Sequence, residues 1–577
     1  MAQERREVRP KAELNIASLE CLQLLVVRIH VQKTKLWSTL GGLWGNMNYR
    51  AFVAFSGGGA KGIVHVAALK ALERRSVAFV GFSGTSAGSI VAALAAAGFT
   101  ADDLLDPEKG TTILTKLTAI DGSIRRMTDL FGPGGWIKIR LFRWLMTRRW
   151  LIGTALVVAW VLPLLSVWAV HGTAYINHVA VLSFAVVGLS AWWVYRRVIS
   201  GLANLTRLRN ILGRLLQQKM FPDDPAREVL MSDFGKDGRP PLKIVSANLA
   251  RRRLHLFSPE RTPMTPAADA VAASLCLPVI FSPWAIGGEL HIDGGIVSNL
   301  PAWPFDEERE LDPGTITIAV EIEDTPVNDV VLPHHWIGAA MRTALFGSGE
   351  LSVRVSGHTE RLALPTKIDI LDFDVSGDIA KEQVKEVTHA ASIWLEKRLT
   401  RLPEIYRDAC KVAQGLAQDE LGLAPGASGT NPRVRVAVGR LDRSYTQSLR
   451  FSHCVGFDDD PDEAMLIPLA GSVAGLAWSD GASRLEVFPL QPEIDLPGEA
   501  NRLRRKVRWT AVAWILCIPI LDKGTARPRV LVQLDGNMQL KEDDATATSL
   551  ELIETAVKQF FNLVLDELKD LEDTRGH

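Results

Sequence analysis

The strongest constraint on the fold is a pentapeptide, Gly84-Thr-Ser-Ala-Gly88, which lies between an apolar run and an alanine-rich run. The run before it, Val77 to Phe82, is typical of a buried strand, and the run after it, Ser89 to Ala97, is typical of a helix. A serine at such a strand-to-helix turn is a candidate nucleophile, because the turn exposes its hydroxyl where the helix begins. Gly84 and Gly88 favour the tight turn because they leave room for the backbone.

A glycine-rich loop, Ser56-Gly-Gly-Gly-Ala-Lys-Gly62, follows the apolar run Ala51 to Phe55 and precedes this turn. Three successive backbone N–H groups, those of Gly57, Gly58 and Gly59, can converge on one anion. A phosphate-binding P-loop would carry Ser or Thr after the lysine, so nucleotide binding is the weaker interpretation. We therefore expect the loop to form an oxyanion hole beside the serine.

Two segments contain no Asp, Glu, Lys or Arg: Trp150 to Val170 and Ala174 to Tyr195. Each reaches the ~20 residues that a helix needs to cross a bilayer core. Arginine pairs flank the hairpin at 148–149 and 196–197, which by the positive-inside bias places both ends in the cytosol. We expect two transmembrane helices in the inner (cytoplasmic) membrane, with the other domains cytosolic. A buried hydrophobic hairpin is the alternative.

After this hairpin the α/β pattern returns and ends in Asp293-Gly-Gly295, where the two glycines let the chain turn directly after the carboxylate. Further elements complete a mostly parallel sheet. The expected strands are Leu242 to Asn248, Leu254 to Phe257, Ile316 to Ile322 and Lys367 to Phe373, with a helix from Ala267 to Leu277.

The three motifs, in this order and spacing, resemble those of the patatin-like phospholipases, which are related to cytosolic phospholipase A2. The resemblance covers about residues 50 to 142 and 200 to 375, including Ala272 to Pro278. It implies a three-layer α/β/α domain in which Asp293, rather than a histidine, is the base for Ser86. The hairpin departs from the family pattern, as an insertion that splits the domain.

The resemblance implies ester hydrolysis. Ser86 attacks a glycerophospholipid ester, Asp293 takes and returns the proton, and water releases a fatty acid. Lys61 either orients the glycine loop or attracts the lipid phosphate, and an exposed, solvated lysine is the plainer interpretation. His291, two residues before Asp293, is a rival base, although a packing role fits it better. The expected supporting residues are Lys61, Gly84, Gly88, Gly294 and Gly295; no metal or cofactor is expected.

Two other functions stay open at this stage. In a lipid acyltransferase an alcohol would intercept the acyl-enzyme. The second alternative is a membrane-bound sensor with an inactive lipase domain. The intact motifs argue against it. The expected partners are phospholipid substrate and the lipid bilayer. Lysine plus arginine equals aspartate plus glutamate, at 65 each, so no nucleic-acid partner is expected.

The C-terminal region follows a small-residue linker, Gly422 to Asn431. Its alternating strands and helices resemble a GAF domain, which implies a small-molecule ligand or a homo-oligomer. A closing helix is predicted to begin at Thr548, with Glu551 completing a capping box. The five scattered cysteines include no C-x-x-C pair, so neither a disulfide framework nor a zinc site is expected.

These patterns predict six regions. The first, 1–49, includes a helix that packs on the next domain or lies at an interface. The others are the first patatin-like segment at 50–143, the transmembrane hairpin at 144–199, the second patatin-like segment at 200–378, a helical connector and linker at 379–428 and the GAF-like domain at 429–577.

Overall fold

The structure is a computed structural model that describes most of the chain from residue 49 onward. It describes residues 49–132, 134–171, 176–312, 315–323, 343, 359–423, 433–442, 447–457, 466–488, 512–522 and 524–572. The predicted N-terminal helix and most of the predicted linker lie outside these residues. The six predicted regional boundaries remain predictions.

The first sheet has eight strands, in the order β5-β6-β3-β2-β1-β7-β8 with β4 paired to β3. The strands β8, β7, β1, β2 and β3 pair in parallel, whereas β4, β5 and β6 pair antiparallel. The sheet is therefore mixed. The strands are β1 Arg50–Phe55, β2 Ala78–Thr85, β3 Leu242–Asn248, β4 Arg253–Phe257, β5 Trp284–Ile286, β6 Glu289–Asp293, β7 Thr315–Ile322 and β8 Thr359–Leu364.

The strand predicted at Lys367 to Phe373 is wrong. The edge strand is β8, Thr359–Leu364, and residues 365–376 form an irregular segment. The apolar residues of this run indicated a strand, but Ile370, Leu371 and Phe373 pack on the large core from a loop, and Ile368 is buried there too.

Helices join the strands and cover the sheet. They are α1 His65–Arg74, α2 Ala87–Ala96, α3 Ala101–Leu104, α4 Ile113–Ile120, α5 Gly135–Thr147, α6 Arg149–His171, α7 Ile176–Ile199, α8 Thr206–Met220, α9 Ala267–Leu275, α10 Gly295–Ser298, α11 Asp306–Leu311 and α12 Gly377–Leu395. Alternate residues of β1 face different layers. Val53 and Phe55 belong to the large core, whereas Ala54 packs with Leu300 and Ala302. Both faces of the central strands are thus buried, as parallel sheets require.

The predicted hairpin forms two helices, α6 and α7, that pack against each other. Among the residues that the structure describes, however, no helix is both long and apolar enough to span a bilayer. The predicted transmembrane helices 150–170 and 174–195, and the inner-membrane localisation that depends on them, are therefore wrong. Both were inferred from an absence of charged residues, which is a weaker condition than sustained apolarity, and polar or helix-bending residues such as Thr154, Pro163 and His178 interrupt the two segments.

The C-terminal region forms a second sheet of six strands, in the order β11-β10-β9-β14-β13-β12. Its strands are β9 Val434–Leu441, β10 Ser448–Val455, β11 Leu466–Pro468, β12 Arg484–Val487, β13 Trp514–Leu521 and β14 Pro528–Gly536; its helices are α13 Leu402–Glu420, α14 Val473–Asp480 and α15 Asp544–Glu572. Helices α13 and α15 pack on one face and α14 on the other. The last helix begins at Asp544, so the predicted start at Thr548 is wrong.

Candidate active site

Ser86 stands at the sharp turn between β2 and α2. Its backbone angles are φ 51° and ψ −128°, a conformation that a residue other than glycine rarely adopts. The turn is packed tightly, because a Cβ on Gly88 would lie 2.5 Å from the carbonyl oxygen of Ser56. A Cβ on Gly84 would lie 2.6 Å from the carbonyl oxygen of Gly88. A side chain at either position would therefore collide with the backbone of the turn.

Asp293, at the end of β6, lies directly beside this serine. The hydroxyl of Ser86 donates to Oδ2 of Asp293 at 2.6 Å, and the N–H of Gly295 donates to Oδ1 at 2.7 Å. Gly294 lies against β3, where a Cβ would collide with the carbonyl oxygen of Val245. Two residues separated by 207 positions in the chain therefore form one buried pair.

Strand β3 aligns Ser86 with Asp293. Thr85 of β2 pairs with Val245, and Asp293 of β6 pairs with Ser246. Strand β4 pairs along one edge of β3. Strands β2 and β6 therefore share the opposite edge of β3, one after the other. The end of β2, with Ser86 next in the chain, thus meets the end of β6.

Burial raises the pKa of Asp293 to about 6, against the opposing effect of the hydrogen bonds from Ser86 and Gly295. A carboxylate with this pKa is a much better proton acceptor near neutral pH than an exposed aspartate. The pair is thus arranged for proton transfer from the Ser86 hydroxyl to Oδ2 of Asp293.

In the glycine-rich loop, two of the three N–H groups that the sequence predicts as oxyanion donors are free of backbone partners among the described residues. The N–H of Gly57 donates to the backbone carbonyl of Asn299 at 3.0 Å. Gly57 is therefore removed from the predicted oxyanion donors, because a donor already bonded to a carbonyl is not available to a reacting oxygen. Gly58 and Gly59 make no such bond to the described backbone, and both line the same cavity as Ser86.

Side chains behind this loop hold it in place. Nε2 of His65 lies 2.8 Å from the carbonyl oxygen of Ser56, to which it must donate. Burial lowers the pKa of His65 to about 4, so the ring is neutral when it donates. Lys61 is only 3% exposed, which excludes a solvated lysine, and it does not line the cavity.

The rival base, His291, faces other groups. Its Nδ1 lies 3.0 Å from the hydroxyl of Ser246, and its ring contacts His255 edge-on. Burial, with a further effect of His255, lowers the pKa of His291 to about 4. These contacts favour the predicted packing role over a role as base.

A cavity of about 840 Å³ opens at Ser86 and Asp293 and extends between α2, α4 and α8. Its volume falls within the range of ~300 to 1,000 Å³ typical of small-molecule sites. Most of its lining is apolar, including Ile90, Leu94 and Leu215. Arg125, Arg126 and Arg140 contribute positive charge, and Asp372 and Asp374 contribute negative charge. Within the described ranges, no group of three or more His, Cys, Asp or Glu side chains is placed to hold a metal ion.

Sequence reasoning missed three site residues. Ser274, in an alanine-rich helix, donates to Val245 and accepts from the N–H of Ser86. Ala87, directly after the serine, lines the cavity, as does Asn299. The N–H of Ala87 is the usual second donor of a nucleophile elbow, so the pentapeptide itself was the available signal for it. No comparable signal identifies Ser274 or Asn299.

Comparisons with known proteins show several similarities. A family model described as patatin-like phospholipase matches residues 53–306. The chain is 25% identical over 296 residues to the uncharacterized protein YqhO of Bacillus subtilis (strain 168), covering 50% of this chain and 78% of that protein. Among solved structures it is similar to ExoU of Pseudomonas aeruginosa, solved in complex with SpcU, with 16% identity over 65% of this chain and 62% of that chain, at a TM-score of 0.28. It is also similar to the GAF domain of a Bacillus halodurans sensor histidine kinase, with 16% identity over 27% of this chain and 97% of that chain, at a TM-score of 0.19.

Proposed function

We propose that the patatin-like phospholipase domain at residues 53–306, which makes this chain a lipid hydrolase, cleaves acyl esters of glycerophospholipids with a Ser86/Asp293 dyad. The observation that carries this proposal is the 2.6 Å hydrogen bond between the Ser86 hydroxyl and Oδ2 of Asp293, made on the wall of an apolar cavity. A serine hydroxyl needs an adjacent base to act as a nucleophile.

The reaction uses the pair twice. Asp293 accepts the proton as the Ser86 oxygen attacks the ester carbonyl, and it returns that proton to the departing lysolipid hydroxyl. The acyl chain then stays on Ser86 until Asp293 takes a proton from water and the water oxygen attacks the acyl carbon. The fatty acid leaves, and Asp293 returns the proton to the Ser86 oxygen. The N–H groups of Gly58, Gly59 and Ala87 stabilise the tetrahedral oxyanion, where one donor typically contributes ~100- to 1,000-fold in rate.

The apolar lining of the cavity suits a long acyl chain. Each CH₂ group that leaves water for an apolar wall contributes about 0.8 kcal/mol, so a fatty chain binds far better here than a short ester. The arginines that line the same cavity, Arg125, Arg126 and Arg140, offer positive charge to the lipid phosphate. Lys61 does not share this role, since it is buried outside the cavity, and we assign it to support of the glycine loop.

Regulation by the C-terminal GAF-like region is the second element of the proposal. The segment at the start of α12, including Ser376 and Ala380, lines the cavity. Helix α12 continues through a π-helical turn, Glu396–Arg401, into α13, whose side chains belong to the core of the second sheet. A ligand or a second copy bound to the GAF-like region therefore has a continuous helix through which to shift the cavity wall.

The test uses purified full-length protein and vesicles of phospholipid that carry a labelled acyl chain. Wild-type protein should release labelled fatty acid, and Ser86→Ala and Asp293→Asn should not. Equal release by wild type and Ser86→Ala would overturn the dyad. Label transferred to an added alcohol would instead establish an acyltransferase, and a wild-type protein without either activity would favour the sensor. For regulation, a chain that ends at residue 422 should differ in activity or assembly from the full chain, and an unchanged enzyme would remove this role.

A further inference from the structure

Ser274, near the C-terminal end of α9, links two backbones through one hydroxyl. Its side chain is fully buried. The hydroxyl donates to the carbonyl oxygen of Val245 at 2.6 Å and accepts from the N–H of Ser86 at 2.9 Å. The directions are fixed, because an N–H can only donate and a carbonyl oxygen can only accept.

Ser86 needs such a partner. Its positive φ of 51° is strained for a residue other than glycine and persists only where the surroundings enforce it. The N–H of Ser86 is buried at the turn, and the acceptor that it meets there is the Ser274 hydroxyl. The bond from Ser274 therefore satisfies this N–H and holds the serine in the conformation that directs its hydroxyl to Asp293.

The same end of α9 also holds Asp293. The carbonyl oxygen of Cys276 accepts from the N–H of Asp293 at 2.9 Å, and that of Ser274 accepts from the N–H of Gly294 at 3.4 Å. Ser274 thus lies where β2, β3 and β6 meet, behind the pair and outside the cavity lining.

We infer that Ser274 is a positioning residue of the hydrolase: its hydroxyl fixes the backbone of Ser86, and through it the alignment of the Ser86 hydroxyl with Asp293, without touching substrate. This inference rests on the proposed function of the Ser86/Asp293 pair. It also explains why the N–H of Ser86 cannot serve the oxyanion, which leaves that role to Ala87 and the glycine loop.

The main test is Ser274→Ala in the full chain. Because Ser274 does not line the cavity, KM should stay within about twofold, whereas kcat should fall about 10- to 100-fold, as expected for a misplaced nucleophile. A second readout is the rate at which a fluorophosphonate labels Ser86, which requires no knowledge of the lipid. Ser274→Ala should be labelled more slowly by a similar factor.

Ser83→Ala is the matched control. Ser83 is equally buried and lies on β2, three residues before Ser86. Its hydroxyl donates to the carbonyl oxygen of Pro301 at 2.6 Å and makes this bond away from the turn. This variant should lose stability but keep kcat and labelling. Ser274→Thr, which keeps the hydroxyl but crowds the site, should be more active than Ser274→Ala despite being no more stable. Ser274→Cys, close to serine in volume, repeats the test if the alanine variant does not fold.

The outcomes separate this inference from the proposed function. Labelling of Ser274→Ala at the wild-type rate would overturn the positioning role, as would an equal loss of activity in Ser83→Ala. Wild-type protein that is labelled at Ser86 but does not cleave phospholipid would overturn the proposed substrate alone, and the labelling rates would still test Ser274.

Discussion

Thr85 and Asp293 pair with consecutive residues of β3, Val245 and Ser246, so that the end of β2 and the end of β6 meet along one strand edge. The backbone hydrogen bonds of the sheet therefore bring Ser86 and Asp293 next to each other. Side-chain substitutions at the pair should abolish the chemistry while leaving this framework intact.

Asp293→Asn should be inactive yet more stable than wild type at pH 8. Burial raises the pKa of Asp293 from 3.8 to about 6, and a shift of roughly 2 units corresponds to about 3 kcal/mol. Above pH 6 the ionised, buried carboxylate lowers the free energy of unfolding of the wild-type protein. The neutral amide of asparagine does not have this effect. Urea unfolding at pH 8 measures this difference in stability. The control is Asp237→Asn, at an aspartate side chain that is 86% exposed, and its free energy of unfolding should equal that of wild type. A less stable Asp293→Asn would contradict it.

The pH profile of hydrolysis should rise through about pH 6 and level off above it. Asp293 acts as a base only when ionised, so activity is lost as pH falls through its folded pKa of about 6. The contribution of this group to stability runs the opposite way: it is fully present below pH 3.8 and lost as pH rises through 6. Measuring kcat/KM from pH 4.5 to 9 tests the assignment. His291→Asn should keep the step, and its disappearance in that variant would make His291 the base.

Much of this site could be predicted from the sequence, because its components are local motifs. The strand, glycine loop and helix around Gly57 to Gly59, the elbow at Ser86 and the turn at Asp293 each follow from nearby residues. The partner of Gly57 could not be predicted, since Asn299 reaches it from a distant segment. The strand predicted at Leu254 to Phe257 is confirmed as β4, but the antiparallel pairing of β4, β5 and β6 could not be predicted, because short apolar runs do not specify their pairing.

The remaining errors have separate physical causes. Ser274 looks like any small residue in an alanine-rich helix, and only the packing of α9 against β3 shows its two bonds. The hairpin at α6 and α7 was predicted to span a membrane from its lack of charges, a criterion that ignores the polar positions between the apolar ones. In the second sheet, β10 and β12, which mix polar or charged residues with apolar ones, were not predicted.

Gly59→Ala should reduce activity by about 100-fold or more, the typical effect of losing an oxyanion donor. Gly59 has φ 56°, and a Cβ there would also collide with the backbone carbonyl oxygen of Ile370. The loop must therefore shift, and its N–H groups with it. Gly238→Ala is the matched control, because Gly238 has φ 75° with nothing within 4 Å. It should show the strain of a positive φ in unfolding experiments but keep full activity. Comparable activity loss in both variants would argue against an oxyanion role for the loop.

Leu94 should set the longest acyl chain that the cavity accepts. Helix α2 begins directly after Ser86, and Ile90 and Leu94 line the cavity one and two turns further along. At 1.5 Å per residue, Leu94 lies about 12 Å from Ser86 along the helix axis.

Enlarging Leu94 should therefore shorten the preferred chain, and reducing it should not. Leu94→Phe should lower kcat/KM for long-chain substrates several-fold while sparing short-chain esters, since only a long chain reaches that depth. Leu94→Ala should spare both classes, or favour long chains, at a stability cost of about 2–5 kcal/mol. The measurement is kcat/KM across a series of synthetic esters of increasing chain length, with Ser86→Ala as the blank. Equal losses at every chain length in Leu94→Phe would show that the chain does not run along α2, and would redirect it toward the wall formed by α12.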